Sequence, residues 1–266
     1  MSTPLVPIQI PSIYKKNGIR VPLPARMAKC APDMLAAIRA TEKEVEQAGG
    51  NLYLSDLFRS YEMQLGSHLD YVKGKKSAFS PPPGGSMHEA GRALDLDLDA
   101  LNMKLSTFWE IASHSGLVPI ISTPNASKSE AWHFDCRGSH DRVYQYYSTG
   151  KASNMKPYTA MAVSGILAID VQVDRFKSKQ TEAKIQAALI RLGFDPGAID
   201  GDLGNRSKAA LSTVGIAFTT PAEVYAALDT KLREAFPTEF AIDSDGDGIP
   251  DADDEFDHSL PGHIIQ

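Results

Sequence analysis

His88 and Asp95 lie in the stretch Ser86-Met87-His88-Glu89-Ala90-Gly91-Arg92-Ala93-Leu94-Asp95, which joins an imidazole to a carboxylate across a turn. Nitrogen and oxygen donors together suit zinc, a borderline-soft ion that keeps an open position when it is catalytic. Two ligands do not hold a catalytic zinc, so a third has to come from elsewhere. Glu130-Ala131-Trp132-His133-Phe134 supplies it, with His133 as ligand and Glu130 beside it as a base. Two histidines, one aspartate and a nearby glutamate form the donor set a metal-dependent hydrolase needs.

These residues need elements to position them. Leu94 to Asp99 alternates Leu and Asp, which predicts a strand presenting Asp95. Glu130 to Arg137 reads as a second strand. Glu130 and His133 are three apart and would face opposite ways on a regular strand, so Glu130 must precede it or sit at a bulge. Lys73 to Gly85 is a loop in which Pro81-Pro82-Pro83 stiffens the backbone and Gly84-Gly85 lets it approach closely before Ser86. Around these, the pattern predicts helices over Asp33–Gln47, from Tyr61 towards Val72, over Leu105–Leu117 and over Asp141–Tyr147, and a strand over Asn51–Ser60. His114 is expected to be structural. The first 31 residues carry five prolines without clear periodicity and read as an arm wrapping the first domain.

Ser-x-His-x-x-Gly-x-Ala-x-Asp followed by Glu-x-Trp-His resembles the zinc D-Ala-D-Ala metallopeptidases, which include vancomycin-resistance D,D-peptidases and phage endolysins acting on peptidoglycan stem peptides. The resemblance covers roughly Leu52 to Gly138. It implies His88, Asp95 and His133 as zinc ligands and Glu130 as catalytic base. It also implies Arg59 as the residue that polarises the substrate, with Ser86 beside it in substrate binding. Phe58 stands where a tyrosine is common.

Beyond a small, polar linker, Ile185 to Phe194 predicts a helix, Pro196 to Gly204 a tight Gly/Asp turn, and Ser207 onwards another helix, with Leu189 and Leu192 on a buried stripe. That order resembles the three-helix peptidoglycan-binding domain found beside many wall hydrolases, although Val214-Gly215-Ile216 replaces the usual Phe-Gln ending. Further on, Asp243, Asp245, Asp247, Asp251 and Asp254 reproduce the spacing of a calcium loop, with Gly246 at its sixth position and the Ile249 carbonyl as a further oxygen. It resembles a thrombospondin type three repeat or a loop from an EF-hand-like module. The expected fold class is therefore α+β, a small antiparallel sheet with flanking helices carrying the zinc site, followed by a small three-helix domain and a calcium-loop tail. The expected units are a peptidase domain at 1–147, including the arm at 1–31, a linker at 148–162, a wall-binding domain at 163–238, the calcium loop at 241–258 and a tail at 259–266.

Eight of the 33 acidic residues fall in 243–257, and the others nearly balance the 27 Lys and Arg, so the net charge of −6 belongs to one segment. No basic tract suggests nucleic acid, and no apolar run is long enough to span a membrane. Cys30 and Cys136 are too few for a disulfide framework, and Cys136 would lie on the opposite strand face from His133. Met1 to Arg20 lacks the basic-then-apolar pattern of a secretory signal. The expectation is synthesis in the cytoplasm and action at the bacterial cell wall or periplasm, with a phage lysis or injection apparatus among the delivery routes. The expected function is a zinc peptidase acting on peptidoglycan as a D,D-carboxypeptidase or endopeptidase. An L-Ala-D-Glu endopeptidase comes second, and a non-catalytic wall-binding or tail component is the alternative from another class.

Overall fold

The computed structural model describes residues 2–244 and 249–254. Its N-terminal half has β1 (Val6–Pro7), β2 (Pro11–Lys16), β3 (Ile19–Pro22), β4 (Lys29–Cys30), α1 (Pro32–Gln47), β5 (Leu54–Asp56), α2 (Tyr61–Val72), β6 (Ala93–Leu96), α3 (Leu105–His114), β7 (Leu117–Pro119), β8 (His133–Cys136) and α4 (Asp141–Ser148). The C-terminal half adds α5 (Pro157–Ala168), α6 (Gln180–Arg191), α7 (Asn205–Thr213) and α8 (Pro221–Ala235).

Six strands form one sheet in the order β3-β2-β5-β6-β8-β7, while β1 and β4 pair separately. The fold is α+β, but the sheet is mixed rather than antiparallel, because β2 runs parallel to β5. The N-terminal arm is itself a correction, since it supplies β2 and β3 at the sheet edge and buries Ile8 and Ile10 in the core. An Asn17-Gly18 turn, with both residues at positive φ, folds β2 back on β3. This is the pairing that a two-residue hairpin favours.

Period-two alternation separates the sheet into a core face and a site face. Leu94, Leu96, Phe134 and Cys136 join the main core with Leu35 and Ile38 of α1 and Phe108 of α3. The Phe108 and Phe134 rings meet edge to face, 5.0 Å between centroids. Ala93, Asp95, His133 and Asp135 therefore face the other way. The strands are shorter than expected. β6 stops at Leu96, because Asp97 turns to accept from the Ala100 amide at 3.3 Å and pairs with Arg20 at 3.2 Å. β5 covers only Leu54–Asp56 of the expected Asn51–Ser60.

Nine successive residues of α5, Ala160 to Ala168, are buried, as expected of a helix packed on all sides. Ala160, Val163, Ile166 and Leu167 meet Val143 and Tyr147 of α4 and Ala187 of α6, while Met161 and Ala162 pack beneath Met87 and Ala93 of the sheet half. The stretch 148–162 read as a linker thus runs into α5. α6, α7 and α8 close around Ile185, Leu189, Leu211, Leu228 and Leu232, and a Thr220/Glu223 capping box starts α8. Among the described residues, no helix is long and apolar enough to cross a membrane.

Candidate metal centre

Asp95 on β6 lies directly opposite His133 on the antiparallel β8, so both side chains leave the same face of the sheet. His133 Nδ1 is 2.9 Å from Asp95 Oδ1. His88 reaches the same point from the turn at 86–91, where Gly91 N–H donates to the His88 carbonyl and Arg92 N–H to that of Met87. Gly91 has φ +64°, and a Cβ there would lie 2.6 Å from Leu5 Cδ2, so this tight turn admits only glycine without strain. His88, Asp95 and His133 are buried, and one donor atom from each lies within 4.8 Å of the others.

The imidazoles are oriented from behind. His88 Nδ1 is 2.6 Å from the Leu57 carbonyl, a contact that requires N–H at that position and leaves Nε2 as the lone-pair nitrogen. Nε2 is buried without a hydrogen-bond partner, 3.3 Å from Asp95 Oδ1. His133 is turned the other way, with Nε2 3.0 Å from Asp135 Oδ1. That leaves Nδ1 for the site. Asp135 is fully buried and accepts as well from Tyr158 Oη at 3.2 Å. Backing each ligand imidazole with a carbonyl or carboxylate is how proteins orient metal-binding histidines.

Burial opposes the His133 charge, but Asp135 and Asp95, one at each ring nitrogen, outweigh it and push the imidazole up to about 10. Burial would likewise raise Asp95, yet the two histidines hold it well below the ordinary carboxylate range. A buried, unpartnered imidazole nitrogen beside an ionised carboxylate and a second imidazole is a donor set that fits zinc.

The three residues line a cavity of about 800 Å³ that also receives Arg59, Ser86 and Glu130. β8 begins at His133, and Glu130 precedes it in a turn with φ +68°, which corrects the expected strand from Glu130 to Arg137. That turn carries Glu130 to the same side as His133. Burial raises the Glu130 carboxyl above its ordinary value. Arg59 is held by Asp56 at 2.6 Å and by Asp95 Oδ2 at 3.2 Å. Ser86 is buried, and its Oγ accepts from the His88 amide at 3.3 Å. Glu89 turns away to accept from the amides of Gly84, Gly85 and Ser86, and burial raises its carboxyl to about 7.

Other expected residues lie elsewhere. Cys30 and Cys136 are free, buried thiols. His114 is exposed and pairs with Glu44 at 2.9 Å. Of the calcium-loop residues, Asp245 and Asp247 lie outside the described residues, as does the tail at 259–266. Asp243 is buried, Ile249 is exposed, and Asp251 accepts from the Ser244 amide and hydroxyl, both at 2.7 Å. Asp135 and Tyr158 were not foreseen. Asp135 was legible as the residue sharing His133's strand face; nothing local marks Tyr158.

No protein-family model matches the chain, and no curated protein matches it. Among solved structures, the LdcB LD-carboxypeptidase, described with the basis of its peptidoglycan recognition, is similar with 15% identity and a TM-score of 0.38. That similarity covers 49% of this chain and 66% of the other, just under two thirds. The L,D-carboxypeptidase DacB from Streptococcus pneumonia is similar with 22% identity and a TM-score of 0.33, over 46% of this chain and 78% of the other.

Proposed function

We propose that the chain is a zinc-dependent peptidase acting on peptidoglycan stem peptides. The observation that carries the reading is the convergence of His88 Nε2, buried and unpartnered, with Asp95 and His133 at the floor of a cavity that Glu130 and Arg59 also line. His88, Asp95 and His133 would hold zinc, which when bound polarises a carbonyl and acidifies water. Glu130 takes the proton of the attacking water and passes it to the leaving amine as the C–N bond breaks. Its raised pKa suits both duties, since a base nearer neutrality accepts and returns a proton more readily. Arg59, fixed by Asp56, offers its guanidinium to charge that develops on the substrate carbonyl. Asp135, 3.0 Å from Nε2, keeps Nδ1 of His133 aimed into the site. Ser86 shapes the turn and the substrate edge of the cavity.

The substrate assignment rests on the two sequence motifs. D-Ala-D-Ala-type bonds come first and L-Ala-D-Glu second, in a carboxypeptidase or endopeptidase reaction. In this reading 163–238 holds the enzyme to the wall, 241–258 binds calcium structurally, and the site of action is the bacterial wall. The test is mass spectrometry of muropeptides incubated with the zinc-loaded full chain, using stems that present D,D, L,D and L-Ala-D-Glu bonds. Loss of one defined residue or fragment is expected. Intact muropeptides from a folded, zinc-loaded protein would leave the non-catalytic wall-binding reading instead.

A further inference from the structure

The cavity is built by both halves of the chain. Lys156, Tyr158 and Thr159, at the start of α5, line it together with Asp174 and Arg175 beyond the helix. α5 is held rigidly against the metal-site turn. Met161 and Ala162 pack on Met87 and Ala93, and a Cβ at Gly165 would lie only 2.8 Å from that of Ala90. Across the mouth, Tyr61 Oη donates to Asp174 at 2.9 Å. The C-terminal half therefore forms a wall of the site.

The cavity lining carries surplus positive charge. Of the cations lining the cavity, Arg59 is taken up by Asp56 and Asp95, and Lys76 donates to Ser67 Oγ at 2.8 Å. Arg137 lies over the Tyr144 ring and pairs with Asp141 at 3.1 Å, but its Nε is buried without a partner. Lys156 and Arg175 are exposed and make no ion pair among the described residues. On the acidic side, Asp95 is engaged with the two histidines and Glu130 sits close enough to feel His133, while Asp174 accepts from the neutral Tyr61 hydroxyl, keeps its charge and offsets one of the two cations of Lys156 and Arg175.

We propose that Arg137, Lys156 and Arg175, which all line the cavity, recognise a carboxylate of the substrate peptide. The proposal rests on the peptidase reading and deepens it, because it makes the preferred substrate an acidic peptide. The carboxylate has two sources, the peptide's C-terminus or an acidic residue within it.

The experiment uses the zinc-loaded full chain and three peptides. These are L-Ala-γ-D-Glu-L-Lys-D-Ala-D-Ala with both carboxylates free, its C-terminal amide, and the form amidated at the D-Glu α-carboxyl. Amidation that removes a charge-assisted hydrogen bond should raise KM roughly tenfold to a hundredfold in the wild type, and the amide that does so identifies the source. Lys156→Gln with Arg175→Gln should erase that gap while zinc content is unchanged, and Lys156→Arg should retain it. Indifference of the wild type to both amidations, or a gap that survives in the double variant, would overturn the proposal. If none of the peptides is cleaved, the peptidase reading fails separately. Calorimetric Kd values for the same peptides then decide the anion site: a free-carboxylate preference abolished in the double variant supports it, and equal Kd values for free and amidated peptides overturn it.

Discussion

Asp135 is the sharpest place to test whether the two histidines are built for a metal. It is fully buried, and its Oδ1 lies 3.0 Å from His133 Nε2, fixing which ring nitrogen faces Asp95. Losing the outer partner of a metal-ligating histidine typically costs about 10–100-fold in metal affinity, or roughly 1.4–2.7 kcal/mol. The figure agrees with the ~1.5–3 kcal/mol net worth of a hydrogen bond to a charged group. Asp135→Asn keeps an acceptor for Nε2–H and can place its NH₂ where Oδ2 now has no partner. It should therefore lose charge assistance alone and fall near the tenfold end. Asp135→Leu removes the acceptor, frees the ring to turn over, and strands the Tyr158 hydroxyl, which now donates to Asp135 at 3.2 Å. It should approach the hundredfold end. Competition with a chromogenic zinc chelator measures both, with circular dichroism as the check on folding. A folded Asp135→Leu variant with wild-type zinc affinity would refute the reasoning, because His133 would then need no orientation.

Three further outcomes are expected. His88→Ala and Asp95→Ala should each lose zinc on metal analysis, since each removes one of the three donors that converge among the described residues; near-stoichiometric zinc in both sinks the ligand assignment. Glu130→Gln should keep zinc and fold yet lose about 10²–10⁴-fold in stem-peptide hydrolysis. Near wild-type turnover with zinc bound would pass the role of base to another group. Titration of calcium into the full chain should show a site that an Asp245→Ala, Asp247→Ala variant lacks, and an identical isotherm in the two proteins refutes the loop.

The site was legible where chemistry and local pattern coincided. His88, Asp95 and His133 share one cluster because turn spacing and strand alternation act over a few residues. α2 was legible from its first residue, Tyr61, because Ser60 caps it by accepting from the Met63 amide at 3.3 Å. The prolines of the N-terminal arm mask the alternation of its two sheet strands. Pro11 and Pro22 stand at the outer ends of a hairpin, where a missing N–H is tolerated, and Asn17-Gly18 between them is its turn signal. The parallel β2–β5 pairing and the wall formed by α5 are products of tertiary packing, with no local signature. Lys156, Tyr158 and Arg175 are ordinary residues by spacing, and they matter because Met161 and Ala162 dock under the metal-site turn.

The same dependence on distant packing yields a last prediction at Glu239, remote in sequence from any ligand. Arg92 lies between His88 and Asp95 and is fully buried. Its Nη1 donates to Asp33 of α1 at 2.7 Å, and its Nη2 lies 3.7 Å from Glu239, just past α8. Glu239 is also paired with Arg191 of α6 and accepts from the Ser139 amide at 2.6 Å. Burial works against its charge, but Arg92 and Arg191 outweigh it and hold the carboxyl below its ordinary value. Removing one partner of such a network leaves two guanidinium groups buried with too little opposing charge, at a cost of about 3–5 kcal/mol. Glu239→Gln keeps the volume and one acceptor, so the loss isolates the charge. For a chain of this size the cost corresponds to a Tm drop of roughly 6–20 °C. Zinc affinity should fall with it, because the strained guanidinium belongs to the turn that carries His88 into Asp95. A Tm within about 3 °C of wild type, by the same conversion, together with unchanged zinc affinity would show that the sheet half holds its metal-site turn without the C-terminal helices.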